Sequence, residues 1–568
     1  MNWKKKDVSA PSIEAVIERN TGISISDFLN PPTNPFIVSL SDAADVIMRA
    51  VVSGVKITIY GDYDADGITA TAILFWMLKT LGGENVDVIL PKRFSEGYGL
   101  SMKGVARIDE GLLITIDNGI AAVDEIAAAK AKGLEVVVLD HHLLREDGKI
   151  PKADVIVDPS AIAGSEFSSY CGAGIAYKLA CTLLDDQAIL DKLSALAAIG
   201  TVADVMPLIG DNRNIVIKGL KQLNKGPNLP GLYALLQHLE MYTVTEMDIG
   251  FKLGPIINAA GRMHDAGATE VFELLVCEDK KACLEMAANL TSINEERKEV
   301  VKQGEAICEN LIEEGCLYGS PILVLFTTKD DPVQLHEGVV GVLAGRIAEK
   351  YKVPTIVLTE IEGGILKGSG RSYGGIHLKK VLDTATDILA RYGGHAGAAG
   401  VSVALDRVYD LQDRLFETME TIEKDSSDDP DTLYYDIEVN AHQLPAVMEK
   451  LKRFAPFGEG NPRIVFKVNK VRLLPRVGKF YRLMGAEGQH IKLFGQGCDL
   501  VGFDMSQKYR ELDEPLFVDT LGYISENHFG TTVTLQVEMT DFRTAQSATA
   551  KSPLASMLEK KMKERGFH

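Results

Sequence analysis

Between residues 56 and 157 the chain repeats one pattern: a short apolar, β-branched run, then a loop, then an amphipathic stretch. The runs are Lys56–Tyr60, Val86–Leu90, Leu112–Ile116, Glu135–Leu139 and Asp154–Val157. Helical periodicity covers Ile68–Leu81 and a second stretch ending near Lys132. Apolar strands alternating with helices predict a mainly parallel, doubly wound α/β sheet. In such a sheet ligands bind beyond the carboxyl ends of the strands. Three of the loops leaving those ends carry Asp or His: Asp62-Tyr63-Asp64-Ala65-Asp66-Gly67, Asp117-Asn118-Gly119 and Asp140-His141-His142. A fourth acid, Asp204, stands in the otherwise apolar stretch Thr201–Val205. Burying a lone carboxylate is costly unless it is paired or binds a metal.

Singly, each loop reads equally well as a solvated turn. Converging on one sheet edge, they predict a metal site. Oxygen donors suit Mg²⁺ or Ca²⁺, and added imidazole favours Mn²⁺, Zn²⁺ or Fe. No cysteine joins the set, which argues against structural zinc. The acids outnumber the needs of one cation. Two cations ~3.5–4 Å apart would use them all, in the arrangement that clamps the attacking and leaving oxygens of a phosphoryl displacement.

The 568 residues suffice for about three or four domains. Residues 1–50 read as a polar helical segment broken at Asn30–Pro35, and 51–210 as the first α/β domain. Residues 211–315 read as a helical connecting region, with turns at Lys225–Pro230 and Gly254–Arg262. A second α/β domain is expected over 316–422, with strands Ile322–Phe326, Pro354–Leu358 and Val401–Leu405 and helices Val339–Tyr351 and Leu378–Leu389. It lacks clustered acids and has glycine-flanked polar groups, Gly368–Ser372 and Gly393–Gly400. Such glycines suit a backbone approaching phosphate, or tight helix–strand packing. Arg262, after Asn258–Gly261, is open to the same two readings. The acidic run Glu423–Asp431 reads as a linker, 434–543 as a small β-barrel, and 544–568 as a basic tail.

Sixty basic against 79 acidic residues give a net charge of −19, which by itself disfavours a nucleic-acid binder. The distribution says otherwise: Lys450–Arg482 holds ten basic residues and one acid, Glu459. No stretch approaches a membrane span, since the longest apolar region, Leu193–Gly210, contains Asp204. The first lysines precede no apolar run, and seven cysteines form no CxxC pair. The expectation is a reduced, cytoplasmic protein without a membrane partner.

These segments resemble the DHH phosphoesterase superfamily and, within it, the bacterial exonucleases specific for single-stranded DNA and running 5′→3′. The matching segments begin with Tyr60–Gly67, Arg93-Phe94, Glu96–Gly99, Thr115–Gly119, Asp140-His141-His142 and Gly172–Leu179. They continue with Thr201–Pro207, Gly254–Met263 and His336–Arg346. Gly368–Ser372 and Gly393–Gly400 resemble the associated DHHA1 domain, and Phe454–Pro462 the start of an oligonucleotide-binding (OB-fold) barrel.

The resemblance implies two α/β domains joined by a helical region, a long helix within 170–200 or 280–312 among them, followed by the OB-fold. It implies two divalent cations, Mn²⁺ or Mg²⁺, held by Asp64, Asp66, Asp117, His141 and Asp204, with Asp117 as the bridge. Asp62 would ligate or orient a ligand, and His142 would touch the scissile phosphate or assist the leaving group. Arg262, Ser369, Arg371 and His395 would hold the substrate backbone. Lys452, Arg453 and Arg472 would track a single strand, together with Arg463, Lys467, Lys470, Arg476 and Arg482. Phe454, Phe457, Phe480 and Tyr481 are interleaved for stacking, while Phe466 and Phe494 are expected in the barrel core. Tyr60 stands where some members place a histidine ligand, and Asn118 where many have cysteine. The implied activity is release of 5′-mononucleotides in DNA recombination and repair, with single-stranded DNA, a single-strand-binding protein and a helicase as partners. Two alternatives stay open: a phosphodiesterase for short or cyclic dinucleotides, which needs no basic barrel, and a non-enzymatic scaffold, which would be expected to lose ligands. The tail at Lys560, Lys561, Lys563 and Arg565 would dock an acidic partner or be a solvated helix.

Overall fold

The computed structural model describes residues 2–145, 147–421, 432–529 and 532–545. The expected linker at 423–431 and most of the basic tail lie outside the described residues. Strands Val86–Ile89, Ile57–Tyr60, Leu112–Ile116, Glu135–Leu139 and Val155–Val157 lie side by side in that order, all parallel. Ile57–Tyr60 and Leu112–Ile116 are buried along their whole length, because helices cover both faces. Ile57, Ile59, Ile114 and Val137 face one core with the helices Leu40–Val52, Ala65–Thr80 and Gly172–Leu183. Tyr60, Leu113, Val136 and Val138 face a smaller core under the helix Val123–Ala131. The chain moves from the first strand to one side and returns on the other, so the switch point falls between Ile57–Tyr60 and Leu112–Ile116. The Asp62–Asp66 and Asp117 loops open there.

Helices dominate from Gly172 to Glu314. Lys280–Glu314 is one helix of 35 residues, ~50 Å long at 1.5 Å per residue. Its first half (Cys283, Ala287, Leu290, Ile293) belongs to the core of the first domain. Its second half (Val301, Cys308, Ile312) packs with Leu323, Leu325 and Leu343 of the second. One helix therefore fixes the spacing of the two α/β units. Gly254–Arg262, expected as a turn, is helical: Ile249–Leu253 forms a π-helical turn that runs into the helix Gly254–Met263. Pro255 sits in the first turn, where its missing N–H costs nothing. Gly254 serves close packing, since a Cβ there would stand 3.2 Å from that of Ala203.

The second unit has five strands in the order Leu389–Gly394, Ala398–Ala404, Ile365–Arg371, Thr355–Glu360 and Leu323–Thr327, with only the last pair parallel. The expected helix Leu378–Leu389 stops at Leu382, gives one 3₁₀ turn, Asp383–Ala385, and becomes a strand at Leu389. The C-terminal sheet has seven strands, ordered Ile437–Asn440, Phe466–Arg472, Phe517–Phe529, Thr532–Thr544, Asp499–Gly502, His490–Phe494 and Tyr481–Met484.

Residues 1–50 are not one helical segment. Asn2–Lys5 pairs in parallel with Thr432–Tyr435, and the Trp3 indole N–H donates to Asp541 at 2.7 Å. Ile13, Val16, Ile17 and Phe28 complete the barrel core, whereas Leu40–Val52 packs on the first sheet. The amphipathic helices pack where their apolar faces find complementary surface, and that partner lies at the far end of the chain. Among the described residues no helix is long and apolar enough to cross a membrane.

Candidate metal centre and nucleic-acid interface

Asp64 is the N-cap of the helix Ala65–Thr80, and its Oδ1 accepts the N–H groups of Asp66 and Gly67 at 3.0 and 3.1 Å. Asp62 lies beneath this turn. Only glycine fits at 67, because a Cβ there would stand 2.7 Å from that of Asp62. The Asn258 carboxamide oxygen takes the Ala65 N–H at 2.9 Å and pins the loop to the helix Gly254–Met263. Asp66 is buried and accepts the Gly172 and Ala173 N–H groups at 2.7 and 2.9 Å. Asp117 has a left-handed φ of 61°, which aspartate tolerates better than most residues.

These acids meet around His141. Its Nε2 is 2.9 Å from Asp117 Oδ1, 3.7 Å from Asp204 Oδ2 and 3.8 Å from Asp66 Oδ2. Asp62, Asp64 and Asp117 each bring an oxygen within 4.8 Å of the others. Asp204 is not the fully buried acid its neighbours suggested. It caps the helix Gln187–Ala203 at the C-terminus with its side chain 30% exposed, because the helix ends at the crevice wall. Burial, then the neighbouring carboxylates, hold Asp62 and Asp117 well above the usual carboxylate range. The same causes push Asp204 up to about 8.

His142 points into the same crevice with a relay behind it. Its Nδ1 is 2.8 Å from Asp140 Oδ1, and its Nε2 is 2.8 Å from the Tyr98 hydroxyl. Burial opposes its charge, but the Asp140 hydrogen bond and surrounding carboxylates outweigh that and raise it to about 9. Asp140 also accepts the N–H groups of Ile120 and His141, which places it behind the centre rather than in it.

Across the crevice stand guanidinium groups. Burial, then the charges of Arg93, Arg297 and Arg371, lower Arg262 to about 10, while Asp64 acts in the opposite sense. Arg371 donates to the Ser369 hydroxyl at 2.7 Å. Gly368 and Gly370 serve packing against the strand Thr355–Glu360 and Leu378, whereas a Cβ on Gly393 would meet nothing within 4 Å. His395 sits exposed at the tip of the hairpin Leu389–Ala404, its Nδ1 accepting the Gly397 N–H at 3.2 Å.

The barrel segment differs from its sequence reading. Lys452 pairs with Glu449 and Glu526, Arg463 with Glu538, Lys467 with Glu438 and Arg476 with Asp499, all at 3.0 Å or less. Apart from Glu449, which shares the helix Leu444–Lys452 with Lys452, the acids that answer these cations come from other strands. Phe454 is fully buried, and Phe457, Phe480 and Tyr481 pack on the core rather than standing free for stacking. Phe466 is buried, but Phe494 is partly exposed with Arg476 over its ring. Arg453 and Arg472 are exposed. Arg472 and Lys470 line a depression of about 640 Å³ with Asn440, His442, Asn469 and Gln496.

Sequence reasoning left Tyr98, Asp140, Arg93, Arg297 and Arg213 without roles. The first three lie inside segments that carried the resemblance. Arg213 had no signal. It is buried, packs over Phe28, and donates to the Ala455 and Arg453 carbonyls, tying the barrel to the first domain.

The single-stranded-DNA-specific exonuclease RecJ of Dickeya dadantii is 34% identical over 483 residues, 80% of each chain. The chain belongs to the RecJ family. Within this RecJ-family chain, residues 56–201 match the DHH family, N-terminal domain, residues 319–421 the DHHA1 domain, and residues 435–541 the RecJ OB domain. The crystal structure of Thermus thermophilus RecJ in complex with Mn²⁺ superposes with a TM-score of 0.77 at 27% identity, covering 96% of this chain and 80% of that one. The Mg²⁺ complex from the same organism gives 0.71 at 26% identity, covering 96% and 79%.

The donors of this RecJ-family chain fit such a cation. Both Asp62 oxygens are buried without a hydrogen-bond partner, and the carboxylates around them repel one another. Hard oxygen donors with one imidazole suit Mn²⁺ and Mg²⁺, and a cation at their centre removes the repulsion. The unfolded chain releases its carboxyl protons near pH ~4, whereas the metal-free folded centre holds some to about pH 8. Metal-free stability therefore falls as pH rises through that window, and a cation competes with protons there. The upward shift in unfolding midpoint caused by Mn²⁺ is expected to grow from pH 6 to pH 8. Thermal melts with and without EDTA test this, and a shift independent of pH contradicts it.

Proposed function

We propose that this chain hydrolyses single-stranded DNA from the 5′ end and releases 5′-mononucleotides, with two divalent cations at the acidic centre. The observation that carries this reading is the position of Arg262. A Cβ on Gly261 would stand 3.0 Å from the Tyr63 carbonyl of the acidic loop, and one on Gly338 of the second domain would meet the Arg262 carbonyl, so cation ligands and phosphate-holding groups share one crevice.

Asp64, Asp66, Asp117, His141 and Asp204 would hold the ions, with Asp117 common to both sets and Asp62 closing one of them. When bound, the cations supply Lewis-acid stabilisation of phosphoryl charge and a nucleophilic water at neutral pH. Arg262, Arg371 and Ser369 hold the phosphate beside that centre, and His395 closes on it from the hairpin. His142, protonated and oriented by Asp140, donates to the departing 3′ oxygen. Arg453 and Arg472 track the strand along the barrel, and Lys452 does so by exchanging its carboxylate partners for phosphate. The domain limits given above from residue 51 onward, cytoplasmic location, a role in recombination and repair, and a single-strand-binding protein and helicase as partners belong to the same reading.

The test uses a strand of about 40 nucleotides labelled separately at each end, with Mn²⁺ or Mg²⁺, beside a duplex of the same sequence. Early release of a 5′-labelled mononucleotide from the single strand alone is expected. Cleavage of dinucleotides with survival of the long strand overturns the reading in favour of a small-nucleotide phosphodiesterase.

A further inference from the structure

Two large apolar side chains stand in solvent on segments that lead to the acidic centre. Val205 is 66% exposed and directly follows Asp204. Its φ of 56° is left-handed, a conformation that a β-branched residue adopts only under constraint. Phe251 is 74% exposed and lies in the π-helical turn Ile249–Leu253, a distortion frequent at functional sites.

Phe251 and Val205 stand on two segments that pack together. A Cβ on Gly250 would stand 3.8 Å from Val202, and one on Gly254 would stand 3.2 Å from Ala203. The π turn thus lies close against the last turn of the helix that ends at Asp204. The same two segments are fastened to the barrel. Glu246 accepts the Phe457 N–H at 3.0 Å, and Leu208 donates its N–H to the Glu459 carbonyl at 2.7 Å. The face between these fastenings and Asp204 therefore joins the barrel to the metal centre. Its neighbouring cation, Lys252, is tied to Asp248 at 2.7 Å, so the face offers an aromatic ring and a methyl surface. Phosphates have little to bind there, whereas every base has a π-face to stack.

We propose that Phe251, with Val205 beside it, is a base-stacking platform that guides single-stranded DNA from the barrel to the metal centre. This rests on the exonuclease reading and names a contact that reading does not require.

The test is a set of single substitutions in the full chain. F251A is expected to raise KM for a 20-nucleotide strand about tenfold, with kcat held within about twofold and an unchanged melting temperature. F251Y should restore KM and F251L should not, because stacking needs a ring. F251W gives a direct signal: in EDTA, where the strand stays intact, oligothymidylate should quench its emission beyond any change in the wild type, whose two tryptophans are Trp3 and Trp76. An unaltered KM in F251A, equal rescue by leucine, or an unquenched F251W saturated with strand by anisotropy overturns the platform while leaving the exonuclease reading intact. A wild type inert on single strands removes both.

Discussion

D117N is expected to lower turnover about 10³-fold and to raise the unfolding midpoint of the metal-free protein by a few degrees. The first effect follows from the position of Asp117, which reaches both the Asp62–Asp64 pair and His141. A thousandfold loss is about 4 kcal/mol of transition-state stabilisation, the scale expected of a cation's hold on phosphoryl charge. The second effect follows from burial and from Asp66, Asp64, Asp62 and Asp204, all of which disfavour the ionised form of Asp117. Each pKa unit of upward shift is ~1.4 kcal/mol against that form at high pH. Asparagine removes the charge, keeps the shape, and tolerates the left-handed φ. D66N should lose activity similarly but lose stability too. Asp66 accepts two buried N–H groups, and a carboxamide answers only one of them with oxygen. Melts in EDTA beside single-turnover cleavage separate the two variants. A D117N protein that melts lower, as D66N should, removes the case for a repulsive acidic centre.

The loops of the acidic centre are legible in the sequence because buried parallel strands leave an unambiguous trace. Leu112–Ile116 and Glu135–Leu139 are wholly apolar apart from Thr115 and Glu135, and each runs straight into its functional loop. What local pattern did not carry was partnership at a distance. Gly254 and Pro255 read as turn signals, yet one permits contact with Ala203 and the other begins a helix. Asn2–Lys5 gives no hint that its partner is Thr432–Tyr435. The basic excess of Lys450–Arg482 is local to its segment, whereas its counter-charges, Glu438, Glu526, Glu538 and Asp499, lie outside it. The acidic loops need no distant partner to be read, because one sheet edge, which the chain order determines, brings them together.

Asp140 makes the same point for the chemistry. It sits in the motif, yet its carboxylate lies behind His142, and on the proposed reading it positions that ring. D140N is expected to lower kcat by about 10²- to 10⁴-fold, the range for disabling a positioned proton donor. The carboxylate accepts from four groups: the His142 ring, the His141 and His142 N–H groups through Oδ1, and the Ile120 N–H through Oδ2. A carboxamide cannot accept on both ends. If its oxygen serves the histidine side, its NH₂ faces the Ile120 N–H; if it flips, His142 loses the acceptor that fixes its ring and favours its charge. Asp140 is absent from the groups that could surround a cation, but His142 stands in one with Asp117 and His141, so Mn²⁺ affinity in D140N is expected to fall no further than in H142Q. H142Q should lose a similar factor, and the double variant little more than either alone, since both act through one donor. Additive losses in D140N and H142Q, or an Mn²⁺ affinity that falls further in D140N than in H142Q, would instead place Asp140 among the groups that hold the metal.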